Sequence, residues 1–329
     1  METPTRLSRF GKFAWFTVAY NVLVILWGVF LRASKSGDGC GQHWLTCHGE
    51  VIPSAPELKT IIEFSHRMTT GPAFIFVLIL AIWAFRKFER GHAARVTALA
   101  AFFFIITEVL VGAGLVLTGN TAETLTAARP FWAVGHLMNT FALLAFLTLT
   151  GWYASGGRRL SLEGRGRAAA LIAIAVFAVL LVGASGSVAA LGSMLFPSET
   201  LAEGISQDFS AGSNMLLRLR VSHPILSILT GVYLVFLAGW LRSWSGGDAS
   251  VSRWSNVVSI LVLVQVAFGG ATLLTLAPIV MQLGHLLLAD LLWISFVLLA
   301  ANFFASRPGS LTTGPPAFAV GDQGVERIL

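Results

Sequence analysis

Eight stretches of about 20 mostly apolar residues constrain the fold of this chain more than any other feature of its sequence. A helix needs roughly 20 residues to cross the hydrocarbon core of a bilayer. Charged residues make up 12% of the chain and the mean hydropathy is +0.76, whereas soluble domains carry about 25% charge. We therefore predict an all-α integral membrane protein with eight transmembrane helices. The predicted spans cover approximately 13–31, 62–85, 96–118, 131–154, 168–190, 221–242, 255–277 and 281–304.

The basic residues predict the orientation of these spans, because Lys and Arg collect in loops on the cytoplasmic side. The first span is kept as a span, since it is too long for a signal peptide and no small-residue cleavage site follows it. One set of termini and loops then holds fifteen of the 22 basic residues: Arg6, Arg9, Lys12, Arg86, Lys87, Arg90, Arg95, Arg158, Arg159, Arg165, Arg167, Arg242, Arg253, Arg307 and Arg327. The opposite set holds Arg32, Lys35, Lys59, Arg67, Arg129, Arg218 and Arg220. We therefore predict a protein of the cell membrane of a bacterium with both termini in the cytoplasm. The net charge of +6 reflects this topology and not nucleic-acid binding, since no nucleic-acid-binding motif occurs in the sequence.

Four histidines lie a few residues inside one end of an apolar span, and they form two matching pairs. The dipeptides Ser-His and then Gly-His occur in the first half, and recur in the same order in the second. The histidines are His66, His136, His223 and His285. In the predicted orientation all four lie at one depth, about one helical turn below the outer surface. An interhelical hydrogen bond explains one such histidine equally well, but four in a repeated order favour a functional site.

The repeat extends beyond the histidines and divides the chain into two halves. The segment that begins at Glu108 in the third span aligns with the segment that begins at Gln265 in the seventh. Each half crosses the membrane an even number of times, which predicts a parallel repeat: two similar four-helix bundles related by a pseudo-twofold axis along the membrane normal. The predicted units are the half 1–154, a basic linker 155–167, the half 168–304 and a cytoplasmic tail 305–329.

Paired histidines in a membrane bundle are typical of haem binding, because haem iron takes axial nitrogen ligands on both sides of its ring. Packed helices lie about 8 to 10 Å apart, too close for a macrocycle, so small residues are expected to make room. Close helix packing alone explains the same glycines equally well. The glycines concerned are Gly112, Gly114, Gly135, Gly269, Gly270 and Gly284.

The first external loop contains the only two cysteines of the chain, Cys40 and Cys47. An oxidising outer face permits a disulfide across this glycine-containing turn, and we predict that the two cysteines form it. The alternative is a zinc site that adds His43 and His48 as ligands, although their spacing matches no common zinc finger.

These residues resemble the haem A synthases, membrane enzymes that convert haem O to haem A for cytochrome oxidase assembly, in their cysteine-containing bacterial form. The resemblance covers roughly residues 13–304 and rests on the cysteine loop with Trp44, on the segment 63–67 and on the four histidines in order. It implies that His66 and His136 flank the substrate haem, while His223 and His285 ligate a haem b cofactor. It also implies that a methyl group of haem O is oxidised through an alcohol to the formyl group of haem A.

Glu63 is the predicted catalytic residue. It precedes His66 by three residues and therefore shares its helix face, where a carboxylate can move protons or stabilise positive charge. The alternative is a structural ion pair with Arg67, four residues further on. Glu108 is expected to make an interhelical hydrogen bond rather than to move protons. Asp290 is a weak candidate for orienting a histidine.

Arginines near the outer surface are expected anchors for haem propionates, since guanidinium groups bind carboxylates in a bidentate manner; they are Arg67, Arg129, Arg218 and Arg220. The expected partners are the lipid bilayer, a haem O synthase and an electron donor or acceptor, while the oligomeric state is not predicted. Two other functions fit the histidine pairs: a di-haem cytochrome b that transfers electrons, and a haem transporter or chaperone that binds haem without converting it. The cytochrome b would normally need neither the cysteine loop nor Glu63.

Overall fold

The computed structural model describes residues 7–306, and these form ten α-helices and no β-strand. Eight spans are long and apolar enough to cross a membrane, so the chain is an all-α, multi-pass membrane protein, as predicted. The helices are α1 (Arg9–Ala33), α2 (Leu58–Lys87), α3 (Ala93–Leu117), α4 (Arg129–Ala154), α5 (Gly166–Leu195), α6 (Leu201–Phe209), α7 (Met215–Arg220), α8 (Ser222–Trp244), α9 (Ala249–Leu274) and α10 (Ile279–Ala305). Helices α7 and α8 together make one span.

Most spans begin or end a few residues beyond their predicted limits, because polar capping residues lie outside the apolar windows. The hydroxyl of Ser8 accepts a hydrogen bond from the backbone N–H of Gly11 at the start of α1. Asp248 caps α9 in the same way, and a proline occupies the first turn of α4. Side chains of this kind satisfy backbone groups that have no partner inside the helix.

The helices pack in the order of the chain within each half. In the first half α1, α2, α3 and α4 form a closed cycle of neighbours, and in the second half α5 packs on α8, α8 on α9 and α9 on α10. The two halves meet where α4 packs on α5 and α10, and where α1 packs on α10. At this junction the indole Nε1 of Trp293 donates a hydrogen bond of 2.9 Å to the backbone oxygen of Phe141.

The segment between the halves is held against the end of α10. The guanidinium of Arg165 donates hydrogen bonds to the backbone oxygens of Phe303 and Ser306, which are among the last carbonyls of that helix and lack helical partners. Burial lowers the pKa of Arg165 from its usual value. The predicted tail lies outside the described residues apart from 305–306, as do Arg6, Arg307 and Arg327.

Large apolar side chains cover the outward faces of the spans. Phe177, Phe236 and Val280 are exposed by 68%, 74% and 77%, and this surface fits the predicted contact with a lipid bilayer.

Candidate functional site

The four histidines occupy equivalent places in their spans. Each lies six to eight residues after the first residue of its span, if α7 and α8 are taken together. At 1.5 Å per residue this is about 9 to 12 Å along the helix axis. Counted from the first residue of the span this is about two helical turns, because the spans begin earlier than the apolar windows do; the depth in the membrane stays a prediction.

Each histidine of the first half faces a glycine on the neighbouring helix. A Cβ atom on Gly28 of α1 would lie 3.2 Å from Cε1 of His66, and a Cβ atom on Gly112 of α3 would lie 3.8 Å from Nε2 of His136. Nδ1 of His66 is buried and has no hydrogen-bond partner among the described residues, whereas Nδ1 of His136 lies 2.9 Å from Oε1 of Glu108. The side chain of His136 is 36% exposed, so its ring is accessible.

The second half has the same arrangement on the corresponding helices. A Cβ atom on Gly186 of α5 or on Gly269 of α9 would lie 2.9 Å from Cε1 of His223 or of His285, respectively. The two imidazole rings have centres 6.3 Å apart and planes at 90°. Nδ1 of His223 lies 3.2 Å from Oγ of Ser185.

The glycines proposed to make room for a macrocycle divide into three groups. Gly112 and Gly269 face imidazole rings, as described. Gly114 and Gly284 instead admit aromatic rings, since added Cβ atoms would lie 2.4 Å from Trp132 and 2.7 Å from Phe268; these two fit the close-packing interpretation. Gly135 and Gly270 have nothing within 4 Å of an added Cβ. Gly28 and Gly186, which also face imidazole rings, were not among the glycines that the sequence predicted for this role.

Cys40 and Cys47 form a disulfide, as predicted. Because both sulfur atoms are bonded to each other, they are not available as zinc ligands, and the zinc alternative is wrong for this structure. Among the described residues no cluster of three or more metal-ligating side chains occurs.

The disulfide loop is fixed to the N-terminal end of α2 by three side chains. Glu63 accepts a hydrogen bond of 2.8 Å from the backbone N–H of Cys40 and forms an ion pair with Arg67. Arg67 also donates to three backbone oxygens of the loop, those of His43, Trp44 and Thr46, at 2.5 to 3.0 Å. The hydroxyl of Thr60 donates to the backbone oxygen of Gly39. The loop therefore lies directly over the helix that carries His66.

Glu63 is 3% exposed, which the sequence did not reveal, because the residues that cover it belong to the loop. The ion pair named as the structural alternative is present. The catalytic role of Glu63 stays a prediction.

The four arginines expected to anchor propionates are bound to groups of the protein itself. Arg67 holds the cysteine loop, and Arg129 donates to the backbone oxygens of Ala122 and Thr124. Arg218 donates to a backbone oxygen and Arg220 pairs with an aspartate.

Arg32, which the sequence reasoning did not single out, is not in any ion pair formed within the described residues. It lies four residues after Gly28 and so shares the helix face that meets His66.

Two further carboxylates differ in their surroundings. Asp290 in α10 is fully buried, and neither of its oxygens has a hydrogen-bond partner in the part of the chain that the structure describes, so it does not orient His285 as suggested. Glu123, in the loop between α3 and α4, is exposed and pairs with Lys35 at 2.6 Å. The hydrogen bond and the charge of Lys35 lower the pKa of Glu123.

The fold and these contacts define a multi-pass helical membrane protein with two pairs of histidines, each ring set against a glycine. The family model described as COX15-CtaA, cytochrome oxidase assembly protein, matches residues 11–297. The chain belongs to this family, which confirms the resemblance drawn from the sequence.

Curated relatives carry two different names. A protein of Halalkalibacterium halodurans named Heme A synthase is 32% identical over 285 residues, which cover 83% of this chain and 89% of that protein. A second Heme A synthase, from Shouchella clausii, is 27% identical with the same coverage. A protein of Thermus thermophilus named Protoheme IX farnesyltransferase is 44% identical over 302 residues, which cover 92% of this chain but 49% of that protein. The chain thus spans about half the length of the Thermus thermophilus relative.

Proposed function

We propose that the chain is a haem A synthase, an enzyme that oxidises a methyl group of haem O to the formyl group of haem A for cytochrome oxidase assembly. The observation that carries this proposal is the set of four histidines, each seated against a glycine, in a chain of the COX15-CtaA family. The coverage of the Heme A synthase relatives supports it, because they align over most of both proteins.

The geometry of His223 and His285 fits an iron atom between them. Imidazole nitrogen binds a metal at about 2 Å in zinc sites, and the ring centre lies about 1 Å behind the nitrogen for ring bonds of about 1.3 Å. Two imidazoles that bound one metal would therefore have their centres at most about 6 Å apart, which is close to the 6.3 Å observed. We assign haem b to this pair.

The substrate haem belongs, in this proposal, to His66 and His136. Three observations support this assignment. The ring of His136 is accessible, Nδ1 of His66 has no hydrogen-bond partner among the described residues, and the disulfide loop lies over the helix that carries His66. Arg32 is proposed to bind a carboxylate of the substrate, and its position on the same face of α1 as Gly28 supports this.

When bound, a haem supplies the iron chemistry and the electron transfer, while the protein sets ligation, orientation and polarity. With water as the source of the oxygen atom, conversion of the methyl group through the alcohol to the aldehyde releases four electrons and four protons, so an electron acceptor is required. Glu63 is proposed to accept protons or to stabilise positive charge beside the methyl group, because it is buried one turn from His66.

The remaining assignments are also proposals. Spans α2, α4, α8 and α10 run in one direction in the predicted topology, with both termini in the cytoplasm of a bacterial cell. The equivalent glycine–histidine contacts on corresponding helices support two related four-helix halves, 1–154 and 168–304, with an axis along the membrane normal. A haem O synthase is a proposed partner, since half of a protein named Protoheme IX farnesyltransferase matches this chain.

The test is to express the chain in cells that contain a source of haem O but no haem A, and to analyse the extracted pigments. We expect haem A to appear with this chain and not with a membrane-inserted His66→Ala variant. Bound haem without any haem A would contradict the proposal and would favour a haem carrier or an electron-transfer cytochrome.

A further inference from the structure

The carboxylate of Glu108, within α3, is bound by three side chains of α4. Oε1 lies 2.9 Å from Nδ1 of His136 and accepts a hydrogen bond of 2.5 Å from the hydroxyl of Thr140, while Oε2 accepts one of 2.6 Å from Nδ2 of Asn139. Asn139 is fixed in turn, because its Oδ1 accepts a hydrogen bond of 2.6 Å from Thr107. All three partners donate, so the imidazole presents Nδ1–H to the carboxylate and keeps the Nε2 lone pair free.

The corresponding position of the second half holds an amide instead. Gln265 and Glu108 each lie four residues before the glycine that faces the histidine of the next span. Nε2 of Gln265 is 3.5 Å from Nε2 of His285, at the limit of a hydrogen bond. Nδ1 of His285 has no partner among residues 7–306. A charged partner on Nδ1 therefore distinguishes the first site from the second.

A carboxylate on Nδ1–H has two effects on a histidine that binds a metal. It fixes the ring orientation and the tautomer, and it makes the other nitrogen a stronger donor. Away from water the interaction is stronger than at the surface. A stronger axial donor favours the oxidised, more positive iron, since hydrogen bonds to the ligands tune the reduction potential of haem.

We propose that Glu108 is a positioning residue that acts through His136 to stabilise the oxidised state of a haem iron in the first half. The second half lacks this stabilisation, so the two haems differ in their tendency to give up an electron. This inference rests on the proposed assignment of His136 as a haem ligand, and it does not require that haem O be converted.

The experiment uses the purified full chain, reconstituted with added haem b as the probe and studied by spectroelectrochemistry. The component that a His136→Ala variant loses is assigned to the first site. Loss of such a partner changes metal affinity or activity by about ten- to a hundredfold. In Glu108→Gln we expect a change at the lower end of that range in the redox equilibrium of this component, about tenfold towards the reduced form. Tenfold corresponds to about 59 mV for one electron. The second component stays unchanged.

Thr140→Val provides a variant with the opposite expected sign. Without the hydroxyl, Oε1 of Glu108 interacts more strongly with Nδ1–H of His136, so the first component moves towards the oxidised form by less than tenfold. A residue that merely maintained packing would not give shifts of opposite sign. If Glu108→Gln does not retain haem in the first site, Thr140→Val decides the question alone.

The matched control is Glu123→Gln, which removes the same charge from an exposed position in the same half and is expected to shift neither component. The proposal is overturned if the first component is unchanged in a Glu108→Gln variant of normal haem content. It is also overturned if Thr140→Val gives no shift or a shift towards the reduced form, or if Glu123→Gln shifts the first component as much as Glu108→Gln does. Failure of the proposed function is recognised separately, because it is the absence of haem A from the wild-type conversion assay.

Discussion

Arg67 and Glu63 form an ion pair across one turn of α2, and the same guanidinium donates to three backbone oxygens of the disulfide loop. The carboxylate in turn accepts a hydrogen bond from the backbone N–H of Cys40. The pair therefore joins the loop to the helix of His66. A change in Glu63 is expected to affect both the stability of the loop and the chemistry beside His66.

Glu63→Gln separates these two effects. The Gln side chain keeps one oxygen acceptor, so it can retain either the hydrogen bond from Cys40 or the contact with Arg67. The loss of a hydrogen bond to a charged group lowers stability by about 1.5 to 3 kcal/mol, which is more than the loss of a water-exposed ion pair. Folding and haem content should survive, while conversion of haem O falls about a hundredfold or more if the carboxylate handles protons. The measurement is the ratio of haem A to haem O in extracted pigments, with thermal unfolding of the purified protein in parallel.

Glu50→Gln is the control for this change, since Glu50 lies in the same loop and is exposed; it should leave conversion unchanged. Near-normal haem A output from a folded Glu63→Gln variant would remove Glu63 from the chemistry. Glu108 would then be the carboxylate to test.

Gly269→Ala should weaken the binding of haem b. The added Cβ would lie 2.9 Å from Cε1 of His285, so the imidazole must move from the position in which it would hold the haem. Where there is space for the new methyl group, replacing a helical glycine by alanine stabilises the helix by about 1 kcal/mol. Gly270→Ala is the control, because it has this effect and nothing lies within 4 Å of the new Cβ. We expect the haem b absorbance per protein to fall severalfold in the first variant and to persist in the second. Equal haem content in both would show that Gly269 does not set the ring position.

The disulfide predicts that denaturing alkylation labels no thiol in purified, unreduced protein and two after reduction. A loop closed over seven positions is stabilised by about 2 to 3 kcal/mol, and Glu63 and Arg67 of α2 are hydrogen-bonded to it. Cys47→Ala is therefore expected to lower haem O conversion without loss of the haem b spectrum. Thiols that react before reduction would contradict the pairing of Cys40 with Cys47.

Asp290→Ala is expected to stabilise the protein. A buried polar group without a partner costs about 1 to 3 kcal/mol, and both oxygens of Asp290 are in that state within the described residues. Asp248→Ala makes the same replacement at the N-cap of α9, where the carboxylate accepts two backbone hydrogen bonds, and should destabilise by about 1 kcal/mol. Thermal unfolding in detergent measures both. Loss of haem b from Asp290→Ala would instead assign the carboxyl a role in function, as is usual for ionisable residues inside spans.

The apolar windows and the repeated dipeptides were sufficient to predict eight spans and the equivalent placement of four histidines, because membrane helices have a fixed minimum length and a regular rise. The disulfide was predictable because the chain has only two cysteines. Helix α6 was not predicted, since a nine-residue amphipathic helix in the connection between α5 and α7 produces no apolar window. Helix α7 was not predicted either, because the predicted sixth span began at 221, where the break between α7 and α8 lies, three residues before Pro224.

The contacts of the site were less accessible to sequence reasoning than its residues. The burial of Glu63 depends on a loop that folds back over α2, and the binding of Arg129 to loop carbonyls depends on a turn that no pattern marks. The contact between Gly28 and His66 also depends on how two helices pack together. Its equivalent at Gly186 could have been found by aligning the two halves on their histidines.

The central claim is that the two histidine pairs hold different haems, and it is tested most directly by measuring haem b content and haem A formation together in four alanine variants. His223→Ala and His285→Ala are expected to lose or strongly perturb the haem b spectrum of the purified protein. His66→Ala and His136→Ala are expected to keep that spectrum largely intact and to abolish conversion of haem O. Equal loss of haem b from all four variants would contradict the assignment of separate roles to the two halves.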